Sequence, residues 1–164
     1  RDYAVTGVQT CALPISPPIR LGEERFSREK LAVDEYLDLY SRVGQPLRWD
    51  QRLNMPRSEL ATLLGSERSR IYVVRDGHGP ALGLCEFERC LPEIELRNFG
   101  LVLHAQGRGL GSWLLRTALH AEWKLQPRRV WLHTDNWDHP AAMHLYAKIG
   151  FRTYMVRDEP PGDL

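Results

Sequence analysis

A glycine-rich segment that opens directly into an amphipathic helix constrains this chain more than any other feature. Glycine occupies alternate positions within residues 106–111, and apolar residues then recur at the i, i+3, i+4 spacing of a helix through residues 112–123. Glycine tolerates positive φ, so main-chain N–H groups in such a loop can converge at the positive end of the helix dipole. The sequence therefore predicts a strand, a loop that binds a phosphate or pyrophosphate, and a helix.

The spacing of the glycines separates three kinds of phosphate loop. A dinucleotide-binding fingerprint needs a third glycine at its sixth position, which is Ser112 when the count starts at Gly107. A Walker loop needs Gly-Lys-Ser/Thr, and no lysine occurs between Lys30 and Lys124. The pattern that remains is Gln-x-x-Gly-x-Gly, which starts at Gln106.

A second motif, Leu-Tyr-Ala-Lys-Ile-Gly-Phe, ends at Phe151. Together the two motifs resemble the GCN5-related N-acetyltransferase (GNAT) superfamily. The first motif of that superfamily is Arg/Gln-x-x-Gly-x-Gly/Ala, and its second motif ends Leu-Tyr-x-Lys-x-Gly-Phe. The resemblance covers residues 70–157 in detail.

The resemblance implies an α/β (α+β) fold with a mixed, mostly antiparallel central sheet, flanked by helices and splayed between its fourth and fifth strands. Acetyl-CoA is expected in the opening, with its pyrophosphate on the loop and its pantetheine arm along the preceding strand. The cofactor-binding residues that the resemblance implies are Leu101, Val102, Leu103, Gln106, Gly107, Arg108, Gly109, Leu110, Gly111, Ser112 and His139. His139 stands where the superfamily often has an asparagine, so its expected role is coenzyme binding or capping of the next helix.

Acetyl transfer to an amine needs a group that takes a proton, because an ammonium has no lone pair with which to attack. Glu95 matches the strand position at which some superfamily members carry this general base, and Glu93 and His133 are the alternatives. Tyr146 matches the tyrosine that acts as general acid towards the coenzyme sulfur in many members. Packing in the core is the alternative role for Tyr146.

The resemblance places the acceptor pocket at the first two helices and their loop. The candidate substrate residues are Tyr40, Trp49 and Asp50, with Tyr36 and Arg52 beside them. The aromatic residues among them are equally compatible with a core role. The acceptor is expected to be an amine of a small molecule or of a peptide or protein. The sequence shows no interface signal, although a homodimer is expected from the frequency of dimers among relatives.

No metal is expected as a cofactor. His133, Asp135, Asp138 and His139 form a short polar cluster of the residue types that bind zinc or iron. Helix capping and turn formation require the same residues at that point, and no second cluster completes a site.

Two other interpretations compete with an enzyme: a non-catalytic module that binds acyl-CoA, and an incomplete domain encoded by a truncated gene.

Residues 5–15 resemble the conceptual translation of a sequencing adapter, so we expect residues 1–16 to be an artefactual leader and residues 17–164 to form one domain. A signal peptide is disfavoured because polar residues interrupt the apolar run.

The net charge of +1 gives no basis for nucleic-acid binding, and no apolar run is long enough to span a membrane. Cys85 and Cys90 lie five apart on one predicted strand and face opposite sides, which favours free thiols and a cytoplasmic location.

Hydrophobic periodicity and turn residues predict the remaining elements. Ser27 is expected to cap a helix that ends at Gly44. The predicted strands are 19–26, 71–75, 81–90, 93–103, 129–134 and 151–157, and the other helices begin at Pro56 and Pro140.

Overall fold

The computed structural model describes residues 2–8, 22–134 and 138–158. The helices in these ranges are α1 (Val33–Gly44), α2 (Arg57–Gly65), α3 (Leu110–Trp123) and α4 (Pro140–Ile149). The strands are β1 (Asp2–Val8), β2 (Glu24–Glu29), β3 (Ser69–Asp76), β4 (Ala81–Cys90), β5 (Glu93–Leu101), β6 (Arg129–Thr134) and β7 (Arg152–Asp158). None of the helices in the described ranges has the length and apolar character needed to cross a bilayer.

The strands form one sheet in the order β2-β3-β4-β5-β6-β1-β7. All neighbouring strands are antiparallel except β5 and β6, which are parallel. A parallel pair needs a long crossover, and here α3 provides it. The predicted mixed, mostly antiparallel sheet flanked by helices is confirmed.

The parallel strands separate part of the way along their length. Their register runs from Glu93 opposite Arg129 to Leu96 opposite Leu132, and beyond it both strands continue. On the other side of β5, the ladder with β4 shifts at the same level and leaves Arg97 as an extra residue. Such a β-bulge bends its strand. The predicted splay between these two strands is confirmed, and it begins at the bulge.

Helices α1 and α3 cover opposite faces of the sheet. A Cβ atom built on Gly100 would meet Val43 of α1, whereas the next residue, Leu101, lies against Gly111 of α3. Because successive residues of a strand point to opposite faces, the bulged half of β5 lies between the two helices. We call these the α1 face and the α3 face.

The close approach at Gly100 gives a stability prediction. Replacing Gly100 by alanine brings Cβ within 2.6 Å of Val43 Cγ1. Overpacking of this kind is expected to destabilise the fold by about 1–3 kcal/mol and to lower the melting temperature by about 2–12 °C. Gly65→Ala is the matched control, because nothing lies within 4 Å of its added Cβ. Equal melting curves for the two variants would contradict the described packing.

One sequence prediction about the first helix is wrong. Ser27 does not cap α1 but lies in β2, where its hydroxyl donates to Glu29 at 2.6 Å. The strand extends further than its apolar pattern suggests because residues 24–29 pair with β3. The helix therefore begins later, at Val33, after Ala32.

The first residues of the chain lie within the sheet. β1 pairs antiparallel with both β6 and β7, so it separates the two strands that follow α3. This strand falls within the predicted artefactual leader, residues 1–16, and the other residues of that leader lie outside the described ranges. Strand pairing does not reveal the origin of a sequence, so the adapter interpretation stays a prediction.

Candidate active site

The glycine-rich loop has the backbone conformation that its sequence predicts. Gly107 and Gly109 have φ of 75° and 76°, and Gly109 immediately precedes α3. A Cβ atom on Gly107 would meet nothing within 4 Å, so the space beside this residue is open. The first-turn N–H groups of α3, on Leu110, Gly111 and Ser112, have no acceptor within the helix. The loop therefore combines open space, main-chain donors and a positive helix end, which suits a pyrophosphate.

The side chain of Gln106 ties the loop to the end of β5. Its amide nitrogen donates to the Leu101 carbonyl at 3.2 Å. The Val102 N–H donates to the Leu82 carbonyl at 2.8 Å, so it is already engaged with the neighbouring strand. Hydrogen-bonding direction alternates along an antiparallel strand, so the main-chain groups of Phe99 and Leu101 point towards the opening between β5 and β6.

The other predicted loop residues have distinct surroundings. The Arg108 guanidinium lies 2.7 Å from a Glu24 carboxylate oxygen. Ser112 accepts from Arg116 at 3.2 Å. Leu110 is fully buried, whereas the Leu103 side chain is exposed. Of these, Arg108 and Ser112 carry polar groups next to the open loop.

Glu95 lies on β5 just before the bulge, opposite Trp131 of β6. It is buried, at 6% exposure. Its carboxylate accepts from Arg97 at 3.0 Å and 3.2 Å. Burial raises the pKa of Glu95 above its usual value, and Arg97 partly opposes that rise. A buried carboxylate with a raised pKa, at the point where two strands part, has the properties of a general base.

The two alternatives to Glu95 differ in position. Glu93 lies at the start of β5, where Arg128 and Arg129 donate to its two oxygens at 3.3 Å and 2.7 Å. His133 is about half exposed, and its Nε2 lies 3.7 Å from the Glu95 carboxylate. His133 therefore adjoins Glu95, whereas Glu93 is held by two arginines at the base of the strand.

Tyr146 lies in α4 with its ring near those of Phe99 and Phe151, at centroid distances of 6.1 Å and 5.7 Å. It is buried, and burial together with the nearby Asp138 and Cys85 raises its pKa above the usual value for a phenol. The phenol therefore keeps its proton at neutral pH. Contact with Phe99 places Tyr146 beside the opening.

His139 caps α4. Its Nδ1 accepts from the Ala141 N–H at 3.1 Å, immediately before Pro140. The capping role that we considered for this residue is thus observed. Of the polar cluster considered for a metal, Asp135 lies outside the described residues.

The predicted acceptor residues lie in α1 and in the loop before α2. Tyr40 is buried at 2% exposure and its ring packs 5.3 Å from that of Trp49. Trp49 in turn packs on Gly44 and Gly100, so both aromatic residues join the loop to the core. Asp50, the next residue in this loop, is exposed.

The sequence did not predict a buried ionic network on the α1 face. Arg52 donates to Glu86 at 2.6 Å, and Tyr36 and Asn98 donate to the other oxygen of that carboxylate at 2.6 Å and 2.7 Å. Glu86 is fully buried. Two glutamates at alternate positions of a mostly apolar strand, Glu86 and Glu88, were the available signal. The network fixes the loop before α2 against the bulged part of β5.

Comparison with known proteins matches residues 67–153 to a family model described as an acetyltransferase (GNAT) domain. A GCN5-related N-acetyltransferase from Sphaerobacter thermophilus has a similar structure, with a TM-score of 0.69 and 19% identity over 95% of this chain. The ribosomal-protein-S18-alanine N-acetyltransferase of Escherichia coli gives a TM-score of 0.64 and 20% identity. The IAA acetyltransferase of Bacillus cereus gives a TM-score of 0.59 and 22% identity.

The last two matches each cover 80% of this chain and 79% of the other protein. The chain spans only 49% of the Sphaerobacter protein. No curated protein matches the sequence. At these identities, the structural matches establish a shared fold.

Proposed function

Because this chain belongs to the GNAT family of acetyltransferases, we propose that it transfers the acetyl group of acetyl-CoA directly to an amine, with Glu95 as general base and Tyr146 as general acid. The observation that carries this assignment is the position of Glu95. It is a buried carboxylate with a raised pKa at the last paired residues before the sheet opens.

The two proposed catalytic residues approach the opening from opposite faces of the sheet. Arg97, which binds Glu95, also donates to Gln51 in the loop after α1, so Glu95 belongs to the α1 face. Tyr146 packs on Phe99, which lies near Gly111 on the α3 face. This arrangement supports coenzyme binding from the α3 face and acceptor binding from the α1 face, as a direct transfer requires.

In the proposed reaction, Glu95 takes a proton from the acceptor ammonium, and the freed nitrogen attacks the thioester carbonyl carbon. A carbon–nitrogen bond forms and the carbon–sulfur bond breaks. The nitrogen carries a positive charge after the attack and loses its second proton to solvent. Tyr146 donates a hydrogen bond, and finally a proton, to the departing sulfur and is reprotonated from solvent, and Glu95 releases its proton to solvent. The Val102 N–H, next to the loop, donates to the Leu82 carbonyl and is not available to stabilise the oxyanion. We assign the oxyanion-stabilising role to the Phe99 N–H, which the strand alternation directs towards the opening.

Replacing Tyr146 by phenylalanine tests the acid. The change removes only the hydroxyl, and the two ring contacts of Tyr146 remain available. We expect kcat to fall by about 10²-fold, with the melting temperature and acetyl-CoA affinity close to those of the wild type. Steady-state kinetics and thermal unfolding measure these effects. Unchanged kcat would assign Tyr146 to packing alone.

The raised pKa of Glu95 predicts a pH dependence. Glu95 must be ionised to accept a proton, so kcat should fall as the pH drops through its pKa. That fall should come at a higher pH than an ordinary glutamate, with its value of 4.5, would give. Arg97 lowers this pKa, so in Arg97→Gln the loss of activity on acidification should begin at a still higher pH. A pH profile of kcat/KM, which reports ionisations of the free enzyme, makes the comparison alongside kcat. If the acidic limb of the kcat/KM profile does not move in Arg97→Gln, the titration belongs to another group.

An amine panel tests the proposed function itself. The full chain is incubated with acetyl-CoA and primary amines that include amino acids, polyamines and short peptides. Thiol release and the mass of the acetylated product are then measured. Product that forms with the wild type and not with Glu95→Gln supports the assignment. A folded protein that binds acetyl-CoA and acetylates nothing would instead support a non-catalytic acyl-CoA-binding module.

A further inference from the structure

Arg97 lies beside Glu95 on the α1 face, the face from which we propose that the acceptor binds. Its side chain is 27% exposed, whereas that of Glu95 is 7% exposed. As the extra residue of the bulge, Arg97 shares the α1 face with its neighbour Asn98, and the two side chains contact Glu88 and Glu86 respectively. A bulge re-aims a side chain in this way. An amine that approaches Glu95 along the α1 face therefore meets the Arg97 guanidinium.

The three nitrogens of the guanidinium have different partners. NH1 donates to Glu95, and Nε lies 3.5 Å from Glu88. NH2 donates to the side-chain carbonyl of Gln51 at 3.2 Å, and this contact is exposed. The outer nitrogen thus has a neutral, exposed partner, and it can bind an incoming carboxylate without breaking an ion pair.

The charges around Glu95 are already balanced. Its carboxylate and those of Glu86 and Glu88 each have their own guanidinium, at distances of 2.5–3.0 Å. The three cations are Arg52, Arg68 and Arg97. An ammonium placed beside one of these guanidinium groups is repelled by it, because like charges repel strongly at short distance where water is partly excluded. The site therefore has no surplus negative charge for an acceptor that is only a cation.

We propose that the acceptor carries a carboxylate close to its amine, as an amino acid does, and that Arg97 binds this carboxylate while Glu95 faces the amine. The inference rests on the proposed function and names its substrate class. A zwitterion leaves the formal charge of the site unchanged, and its carboxylate replaces Gln51 as the partner of NH2. Arg97 is then the specificity-determining residue for the acceptor.

Two other groups lie near this entrance. His133 lies on β6, and its Nε2 is 3.7 Å from a Glu95 carboxylate oxygen. It is on the other side of Glu95 from the loop that follows α1. Asp50 precedes Gln51 in the loop and is exposed, where water and salt screen its charge. If Asp50 attracted cationic acceptors strongly, simple amines would be preferred over zwitterions, and the test below distinguishes that outcome.

The test compares the proteinogenic amino acids with their α-carboxamides as acceptors for the full chain and acetyl-CoA. Each pair keeps the same side chain and amine, and the amide lacks the negative charge. The amide also has the less basic amine, which favours it chemically, so a preference for the acid must come from the protein. For amino acids that are acetylated, we expect kcat/KM to be about 10- to 100-fold higher for the acid, mainly through KM.

Variants separate recognition by Arg97 from a structural role. Arg97→Gln should reduce the acid-to-amide ratio to near one, and Arg97→Lys should retain part of it, because lysine keeps the charge but not the planar fork. Arg128→Gln is the matched control, since Arg128 pairs with Glu93 on the surface and its side chain is 75% exposed. The ratio compares two acceptors on one protein, so a partial loss of folding in any variant does not alter it.

Each outcome decides the inference. An acid preference that Arg97→Gln removes supports it. Equal or better use of amides, simple amines or only peptide N-termini and lysine side chains overturns it and leaves the proposed function standing. An acid preference that survives in Arg97→Gln also overturns it. Absence of transfer to every acceptor removes the proposed function, and the inference with it.

Discussion

Replacing Glu95 by glutamine is expected to lower kcat for acetyl transfer by about 10²- to 10⁴-fold, because the variant cannot take a proton from the acceptor. The amide has nearly the shape of the carboxylate and keeps an oxygen that can accept from Arg97. Burial disfavours the charged form of Glu95, so the neutral replacement should unfold at the wild-type temperature or above. Stopped-flow or steady-state thiol release measures the loss.

Glu93→Gln is the control for this substitution. Glu93 lies two residues earlier on the same strand and is held by Arg128 and Arg129. Its replacement should leave kcat close to the wild-type value. A large loss of kcat for Glu93→Gln, with activity retained in Glu95→Gln, would show that Glu93 is the base and that Glu95 is not. Activity retained in both variants would direct attention to His133.

Replacing Gly109 by glutamate is expected to weaken acetyl-CoA binding by about 100-fold or more. The new carboxylate would lie at the start of α3, where we place the pyrophosphate, and like charges about 4 Å apart repel by several kcal/mol. A side chain at a φ of 76° also costs about 1–2 kcal/mol, so a melting temperature a few degrees lower is expected. Calorimetric titration and ligand-dependent melting measure the two effects separately.

Two variants divide the effect of this glutamate into its parts. Gly109→Ala introduces the backbone strain without the charge and should weaken binding much less. Gly65→Glu introduces the charge at the end of α2, where nothing lies within 4 Å of an added Cβ, and should leave binding unchanged. Tight binding of acetyl-CoA by a folded Gly109→Glu variant would contradict the pyrophosphate role of the loop.

Local patterns predicted the loop and most elements correctly. The glycines at 107 and 109 indicated positive φ, and both have it. β4 and β6 have the predicted bounds, and α2, β3, α4 and β7 lie within one or two residues of theirs. These features depend on residues that are close in sequence. Ser27 failed as a cap because pairing with a distant strand, β3, determines where β2 ends.

The surroundings of Glu95 could not be predicted in the same way. The bulge at Arg97 is a property of the ladder between β4 and β5, and no local residue type marks it. The aromatic residues of α1 and its loop were ambiguous because the same side chains suit a core and a binding wall. Trp49 contacts Gly44 and Gly100, and its role in acceptor binding stays a prediction. Pairing of Arg52 with Glu86 depends on a loop closing over a strand.

The most direct test of the central claim is a calorimetric titration of the full chain with acetyl-CoA, with thermal unfolding of the same samples. If the opening between β5 and β6 binds the coenzyme, one site of about micromolar affinity and a raised melting temperature are expected. A cooperatively folded protein that shows neither heat of binding nor stabilisation at millimolar acetyl-CoA would contradict the assignment of this opening.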